Sequence, residues 1–344
     1  MTLSSRPLLT RRDRELFAGR HGELSRVVAA IEAGFNCAIV GEPGSGRTTL
    51  ANAAVAELEA NQPPISVLTI YAAEIADAAG LLAAASAELT VRGWPGAVPA
   101  ARPGLRLEAI DRLDSLRRQV ATRASGTAAP VFLVEDVAIG AGRELFGAMR
   151  DELWTVDARW LVTMSTGRAS ALLRPPADVF FDSVVTLPDL GDGDSRALVR
   201  LRLPSAADDL VDLIVAAGRG NPRKMVDLAR EFAADPAGAD TASAGQITRD
   251  AAIDALGRPA RMLAAELDSL GSAAASDPDL LDRLGWTRAR AVQVLSDLED
   301  SGLVSHRSEN TGRGRPRKVY RLVTGSEYAS TAGHPRPPGP DEAQ

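Results

Sequence analysis

Short apolar runs alternate with longer segments of helical spacing between Arg12 and Asp189. Strands that are buried on both faces read as continuous apolar runs, whereas amphipathic helices repeat their apolar residues with a longer period. The runs that predict strands are residues 36–40, 65–71, 131–134, 160–164 and 183–187. This alternation of strands and helices predicts an α/β fold built on a parallel sheet.

The strand pattern ends after Leu190. From residue 194 to residue 234 the spacing is helical only, with a break at Pro204. This spacing predicts a small helical domain. The predicted organisation is a flexible start at 1–11, a sheet domain at 12–190, a helical domain at 191–235, a linker at 236–246, a third domain at 247–323 and a disordered tail at 324–344.

Composition narrows the class of protein. The 344 residues are 45% hydrophobic and 24% charged, which are ordinary globular values, and no apolar run reaches the roughly 20 residues of a spanning helix. The first residues carry charges where a signal peptide needs an apolar stretch. Cys37 is the only cysteine, so an internal disulfide is excluded. We therefore expect a cytoplasmic protein without a membrane segment.

The charge is distributed unevenly. The net charge is -6, but residues 287–323 carry seven arginines and one lysine against four acidic residues, a net charge of +4. The rest of the chain therefore carries -10. Such a local excess of cations predicts a surface for an anionic partner. Lysine occurs only at 224 and 318, so arginine fills almost every other basic position.

The first predicted strand runs into a glycine-rich loop, Gly41-Glu-Pro-Gly-Ser-Gly-Arg-Thr-Thr49, which is followed by a helical pattern at residues 50–58. A strand, glycine loop and helix in this order are typical of a P-loop, in which backbone N–H groups and the helix N-terminus bind phosphate. The predicted nucleotide contacts are Gly41, Gly44, Ser45, Gly46, Arg47, Thr48 and Thr49. The hydroxyl of Thr48 is a predicted Mg²⁺ ligand.

Arg47 occupies the position where a P-loop usually has lysine. A guanidinium group is longer and planar, so it binds phosphate well but places its charge less suitably for phosphoryl transfer. Nucleotide binding is therefore better supported than hydrolysis. The alternative is that the glycine turn only caps a helix, with Arg47 reflecting the general preference for arginine.

An acidic pair, Glu135 and Asp136, follows the apolar strand at residues 131–134. The carboxyl ends of parallel strands meet at one edge of a sheet, so both acids are expected beside the glycine loop. Glu135 is the predicted Mg²⁺ ligand and Asp136 the group that activates water, although the usual order is aspartate first. The alternative is a pair of surface acids without a ligand.

These motifs together resemble the AAA+ and related STAND ATPases, especially the origin-recognition and archaeal replication-initiator type. Three further segments carry the resemblance: Phe17-Ala-Gly-Arg20, Trp160-Leu-Val-Thr-Met-Ser-Thr166, and Gly220-Asn-Pro-Arg223 with the helical pattern after it. The resemblance implies ATP and Mg²⁺ as ligands, and it implies that the helical domain at 191–235 is a lid.

The resemblance also implies roles for individual residues. Arg20 would contact the nucleotide, while Ser165 and Arg223 would sense its terminal phosphate. Arg174 would act in trans on a neighbouring subunit, in a homo-oligomer formed in the ATP state; the alternative for Arg174 is a solvated surface side chain.

Residues 276–323 predict a winged helix-turn-helix. A short helix at 277–284, a turn, a second helix with Thr287 as N-cap, and two strands at 303–307 and 319–323 follow one another. This segment resembles bacterial winged-helix regulators, and its loop at 308–318 resembles an AT-hook core. The predicted contacts to double-stranded DNA are Thr287, Arg288, Arg290, Gln293, Arg313, Arg315, Arg317 and Lys318. The alternative is a protein-docking module with solvated cations.

The sequence therefore predicts an α/β P-loop NTPase with an AAA+-like parallel sheet, a helical lid and a C-terminal winged helix domain. The predicted function is an ATP-dependent, DNA-binding switch. Two alternatives stay open: a nucleotide-gated transcriptional regulator that hydrolyses ATP weakly or not at all, and a protein-interaction scaffold.

Overall fold

The structure, a computed structural model, describes residues 7–8, 11–61, 63–95, 105–123, 127–234, 239–309 and 317–332. The chain divides into two compact units, one spanning residues 6–189 and one formed mainly by the residues from Leu190 onward. We refer to them as the sheet unit and the helical unit. The predicted DNA contacts Arg313 and Arg315 lie outside the described residues.

The sheet unit contains five parallel strands: β1 (Cys37–Gly41), β2 (Val67–Tyr71), β3 (Val131–Glu135), β4 (Arg159–Ser165) and β5 (Ser183–Leu187). Their order is β2-β3-β4-β1-β5. The helices are α1 (His21–Glu32), α2 (Arg47–Ala60), α3 (Ala78–Val91), α4 (Leu105–Ala121), α5 (Ile139–Arg143), α6 (Arg150–Leu153) and α7 (Thr166–Leu172). All five predicted strands are confirmed, with small shifts at their ends.

Both faces of the sheet are covered, which explains the continuous apolar runs. Every residue of β1 and β3 is buried. Ala38 and Val40 join a cluster on one face, whereas Cys37 and Ile39 join a second cluster. Burial raises the pKa of the Cys37 thiol to about 11, so this residue is an inert part of the core.

The helical unit contains α8 (Asp192–Arg202), α9 (Asp208–Gly218), α10 (Pro222–Ala234), α11 (Ala239–Ala255), α12 (Arg258–Leu270), α13 (Pro278–Leu284), α14 (Arg288–Asp300) and α15 (Gly325–Ala332). Its strands β6 (Ala273–Ala274), β7 (Val304–Glu309) and β8 (Arg317–Leu322) form an antiparallel sheet in the order β6-β8-β7. No helix among the described residues combines the length and the apolar character needed to cross a bilayer.

Two segments differ from the predicted organisation. The predicted linker at 236–246 overlaps α11, which begins at Ala239. The alanine-rich sequence of this segment favours a helix, and α11 packs against α15. The tail is also helical at Gly325–Ala332. Thr324 and Glu327 form a reciprocal cap there: Glu327 N–H donates to Thr324 Oγ1 at 3.3 Å, and Thr324 N–H donates to Glu327 Oε2 at 2.9 Å.

The N-terminal segment, predicted to be flexible up to residue 11, makes a contact with α2 as well. Leu8 N–H donates to Thr49 Oγ1 at 3.4 Å, and its carbonyl accepts from Asn52 Nδ2 at 2.9 Å. The hydroxyl of Thr49 therefore faces the N-terminal segment.

Candidate phosphate site and candidate nucleic-acid surface

The loop between β1 and α2 has the backbone geometry of an anion site. Gly44 and Gly46 have φ values of 82° and 93°, a region that favours glycine, and Gly46 is the N-cap of α2. Ser45 N–H donates to Glu42 O at 3.1 Å, which closes the turn. The first N–H groups of a helix lack intrahelical acceptors, so the start of α2 offers donors to an anion.

Gly41 packs too closely for a side chain. A Cβ at this position would lie 2.4 Å from Ser45 Oγ and 3.2 Å from Leu187 Cβ. The Ser45 hydroxyl is buried and has no hydrogen-bond partner among the described residues. The close packing at Gly41 therefore holds the buried Ser45 hydroxyl within the loop that precedes the first N–H groups of α2.

Thr48 and Glu135 bring a hydroxyl and a carboxylate together. Thr48 Oγ1 donates to Glu135 Oε2 at 3.1 Å, and Glu135 is buried at the end of β3. Desolvation raises the pKa of the Glu135 carboxyl, and the hydrogen bond from Thr48 offsets part of that effect. These are the hard oxygen donors that Mg²⁺ prefers, so the pair fits the predicted ion.

Arg47 forms an ion pair with Asp136. The Nη1 to Oδ1 distance is 3.5 Å, and Asp136 has a φ of 54°, which is uncommon for a residue with a side chain. The Asp136 backbone is held on both sides, because its N–H donates to Thr163 Oγ1 at 3.2 Å and its carbonyl accepts from Arg168 Nη1 at 2.8 Å. These contacts fix Asp136 with its carboxylate next to Arg47.

Thr163 and Arg168 were missed by the sequence analysis. Thr163 is a buried polar residue between the apolar residues Val162 and Met164 of β4, and this exception to the pattern was the available signal. Arg168 is only 1% exposed, and nothing in the sequence distinguishes it from the other arginines.

Ser165 lies opposite Gly41 in the register between β4 and β1. Its Oγ accepts the backbone N–H of Arg168 at 3.3 Å, so this predicted sensor serves as the N-cap of α7. Ser165 therefore lies at the end of β4, beside the glycine loop that follows β1. Its hydroxyl accepts a hydrogen bond from the first turn of α7.

Arg20 is buried at the start of α1. Its Nη1 donates to Glu23 Oε1 at 3.1 Å, and its Nη2 donates to the carbonyl of Pro188 just after β5. These contacts connect the start of α1 to the residue that follows the C-terminal end of β5.

Arg174 is exposed after α7. Its carbonyl accepts the N–H groups of Ala177 and Asp178, and its side chain forms no ion pair within the described part of the chain. Arg223 belongs to the helical unit, where its Nη1 donates to Ser269 Oγ on α12 at 3.3 Å.

The start of α14 presents an exposed cationic surface. Thr287 is its N-cap and accepts the N–H of Arg290 at 3.5 Å. Arg288, Arg290 and Gln293 are exposed. The Arg290 guanidinium lies 5.1 Å from the centroid of the Trp286 ring, so a cation–π contact holds this charge at the beginning of the helix.

Two of the hairpin residues predicted to contact DNA are described by the structure, and both are paired with acids. Lys318 Nζ lies 3.2 Å from both carboxylate oxygens of Glu299, and Arg317 Nη2 lies 3.6 Å from Glu309 Oε2. Glu299 also contacts His306 Nδ1 at 2.5 Å. The unpaired positive charge of this surface therefore lies at the start of α14 rather than on Arg317 and Lys318.

Comparisons with known proteins identify the fold. No family model matches the chain, and no curated protein matches it. The Orc1 protein of Aeropyrum pernix, solved in complex with DNA, is similar in structure at 17% identity, with a TM-score of 0.53 and coverage of 94% of each chain. The Walker-type ATPase PABY2304 of Pyrococcus abyssi is 12% identical, with a TM-score of 0.52, over 96% of this chain and 99% of that one.

Cdc6p from Pyrobaculum aerophilum gives the same result at 14% identity, with a TM-score of 0.51 over 93% of this chain and 95% of its own. At these identities the similarity shows the fold alone. The chain has the predicted α/β architecture, and its five-stranded parallel sheet belongs to a fold similar to that of these proteins.

Proposed function

We propose that the loop from Gly41 to Thr49 binds ATP together with Mg²⁺, and that the protein is a nucleotide-controlled switch that binds double-stranded DNA. One observation carries the first part: two glycines with positive φ at the N-terminus of α2 lie beside the bonded pair of Thr48 and Glu135. Phosphate oxygens and a hard cation need this combination of N–H donors and oxygen ligands.

The residues take the following proposed roles. The N–H groups of the loop bind the phosphates, and Thr48 with Glu135 would hold the Mg²⁺, which supplies charge neutralisation when bound. Asp136 orients a water molecule. Ser165 and Arg223 are proposed to sense the terminal phosphate, Arg20 to contact the nucleotide, and Arg174 to act in trans in a homo-oligomer.

The ion pair between Arg47 and Asp136 favours a second candidate function. If Arg47 stays bound to Asp136, it neutralises the carboxylate that would orient water. A protein with this contact binds nucleotide without rapid hydrolysis, as a nucleotide-gated transcriptional regulator does. DNA-stimulated ATP hydrolysis that is abolished by Asp136→Ala would favour the ATPase, whereas nucleotide binding without turnover would favour the regulator.

The second part of the proposal concerns DNA. Thr287, Arg288, Arg290 and Gln293 on α14 are proposed to contact the major groove. Arg313, Arg315, Arg317 and Lys318 of the hairpin are proposed to contact the minor groove. The exposed arginines at the start of α14 support this assignment, as does the DNA complex formed by the similar Aeropyrum pernix protein.

Calorimetry tests the nucleotide site. ATP with Mg²⁺ is expected to bind the wild-type protein with measurable heat, and Thr48→Ala is expected to weaken that binding roughly tenfold because it removes one oxygen ligand. Thr186→Ala, at an exposed position on β5, is the matched control and should leave the affinity unchanged. Absence of heat, together with an unchanged melting temperature at saturating ATP, contradicts the proposal.

A gel-shift titration tests the DNA surface. Replacing Arg288 and Arg290 together by alanine should weaken duplex binding at least tenfold and reduce the salt dependence of the affinity by about two released counterions. The control replaces Arg196 on α8 and Arg230 on α10 by alanine, which removes the same amount of charge. These arginines pair with Asp212 and Asp227, and the double replacement should leave duplex binding unchanged. Unchanged affinity in the Arg288 and Arg290 variant would instead support protein docking.

A further inference from the structure

A carboxylate on α14 contacts side chains from both strands of the hairpin. Glu299 lies 2.5 Å from His306 Nδ1 on β7 and 3.2 Å from Lys318 Nζ on β8. Tyr320 is opposite His306 in the register of the two strands, with 5.8 Å between the ring centroids. We refer to these four residues as the hairpin cluster. Lys318 is a proposed DNA contact and is half exposed, so the cluster belongs to the candidate nucleic-acid surface.

The charge of the hairpin cluster depends on the protonation of His306. A contact of 2.5 Å to a carboxylate oxygen requires a hydrogen on Nδ1, and both the neutral imidazole and the imidazolium ion can provide it. While the imidazole is neutral, the opposite charges of Glu299 and Lys318 cancel. A proton on His306 gives the cluster one net positive charge. Histidine ordinarily gains or loses this proton between about pH 5 and 8.

The other charged groups near His306 do not titrate in that range. Burial, together with the carboxylate of the cluster, raises the pKa of Tyr320 above its ordinary value, so this residue stays a neutral phenol. Arg307 and Arg317 pair with Glu309 on the other face of the hairpin, because side chains alternate along a strand. Carboxylates, lysine and arginine ordinarily keep their charge near neutral pH. Within the cluster, the charge therefore changes at His306.

Binding of a DNA phosphate by Lys318 changes the surroundings of Glu299. A phosphate that takes up the ammonium group leaves the Glu299 carboxylate without this cation and close to a second anion. Like charges at such a distance repel each other, and an imidazolium ion beside the carboxylate offsets the repulsion. The DNA-bound state therefore holds the proton on His306 more firmly than the free state does.

We propose that His306 takes up a proton when the protein binds double-stranded DNA, and that this proton allows Lys318 to exchange Glu299 for a phosphate. The inference rests on the proposed DNA surface and does not depend on the nucleotide site. Since the bound state holds more protons, the affinity for the duplex rises as the pH falls. For a single proton, the change is at most about tenfold per pH unit.

The pH dependence of duplex binding provides the first test. Fluorescence anisotropy with a labelled duplex of mixed sequence, at constant salt, measures the affinity of the full chain at about pH 6 and pH 8. We expect the wild type to bind roughly three- to tenfold tighter at the lower pH. His306→Gln should change less than about twofold, because glutamine donates a hydrogen bond but does not gain a proton. His21→Gln, on α1 of the sheet unit, is the matched control and should keep the wild-type pH dependence.

Glu299→Gln separates the proposed exchange from simple attraction between a histidine cation and DNA. This variant lacks the carboxylate that the proton neutralises. Its affinity at about pH 8 should therefore reach that of the wild type at about pH 6, and its pH dependence should be weaker. Simple attraction predicts instead that Glu299→Gln keeps the full pH dependence. The far-UV spectrum of each variant checks that it is folded.

Calorimetric titration with the same duplex, in buffers of different ionisation enthalpy, counts the protons that are taken up. We expect a fraction of one proton per bound chain in the wild type and a clearly smaller uptake in His306→Gln. The inference is overturned if the wild type takes up no proton, or if folded His306→Gln or Glu299→Gln keeps the wild-type pH dependence. A wild type that binds no duplex at any pH contradicts the proposed DNA surface as well, whereas duplex binding without proton uptake contradicts this inference alone.

Discussion

Gly41, at the junction of β1 and the glycine loop, shows how a single residue fixes the geometry of the candidate phosphate site. Its Cα lies where an added Cβ would overlap the Ser45 hydroxyl. Relief of the overlap requires a new position for the Ser45 hydroxyl, and the Cβ atoms of Ser45 and Leu187, which are also closer than ordinary contacts, must shift as well.

Gly41→Ala is therefore expected to destabilise the protein by about 1–3 kcal/mol, the typical cost of an overpacked side chain, and to weaken nucleotide binding. Urea unfolding and calorimetry measure the two effects. Gly22→Ala is the matched control, since its Cβ meets nothing within 4 Å and it lies inside α1. Equal stability of the two variants would contradict this account of the loop.

At the residue scale the sequence identified the acids and the glycines but not the groups that orient them. The roles of Thr163 and Arg168 follow from the positive φ of Asp136, which exposes its N–H and carbonyl to these two side chains. A backbone angle of this kind is a result of the folded structure, so no residue pattern indicates it. The cap formed by Ser165 was missed for a different reason, because its serine was interpreted as a phosphate sensor although serine is a preferred N-cap residue.

Among the elements, the buried strands were predicted most accurately because β1 and β3 are apolar at each position and end at glycine or at acids. Helix α15 was missed because the segment has few apolar residues. Its start is nevertheless marked by Thr324 and Glu327, three residues apart, which is the spacing of a capping box. The local signal was present, and overall composition was the wrong criterion.

The same cap makes α15 sensitive to acid. The side-chain hydrogen bond from Arg321 and the backbone N–H of Thr324 lower the pKa of Glu327 from 4.5 to about 2. Because the folded-state pKa is below the ordinary value, the charged carboxylate stabilises the helix above about pH 4.5, and this contribution is lost as the pH falls toward 2.

We expect the side-chain carboxyl carbon of Glu327 to titrate with a midpoint near 2 and the amides of α15 to lose protection over the same range. NMR titration measures both. In Arg321→Ala the midpoint should move toward 4.5, and a midpoint that stays near 2 would show that Arg321 is not the cause.

At the scale of the whole molecule, the helical unit joins two predicted domains that the sequence separated by a linker. Asp250 on α11 contacts Lys224 on α10 at 2.8 Å and Arg249 at 3.0 Å, and Arg249 Nη1 donates to the Val323 carbonyl at 2.7 Å. The contacts connect α10, α11 and the end of the hairpin. The Lys224–Asp250 ion pair and the Arg249–Val323 hydrogen bond join residues far apart in the sequence. No residue pattern indicates such contacts, which is why residues 191–235 and 247–323 were predicted to be independent.

Asp250→Ala is expected to destabilise the protein by about 3–5 kcal/mol, because it leaves two cations near or in the interior without their carboxylate. Burial raises the pKa of Asp250, but the charges of Lys224 and Arg249 outweigh this effect and keep the pKa below its usual value of 3.8. The carboxylate therefore stabilises the fold above about pH 4, and the difference between wild type and variant should shrink as the pH falls below the folded-state pKa.

Asp212→Ala is the control for this change, since the exposed pair of Asp212 and Arg196 contributes only about 0–1 kcal/mol. Urea unfolding at pH 7 and at lower pH measures both variants. Equal losses of stability in the two variants would contradict the structural role of Asp250.

Lys224 and Lys318, the two lysines of the chain, both lie in the helical unit and both contact a carboxylate. Reagents that acylate side-chain amines will therefore leave the sheet unit unmodified. Lys318 is the more exposed of the two, at 49% against 27%, and should react first. A fluorophore attached to Lys318 would mark the hairpin beside α14 without any mutation.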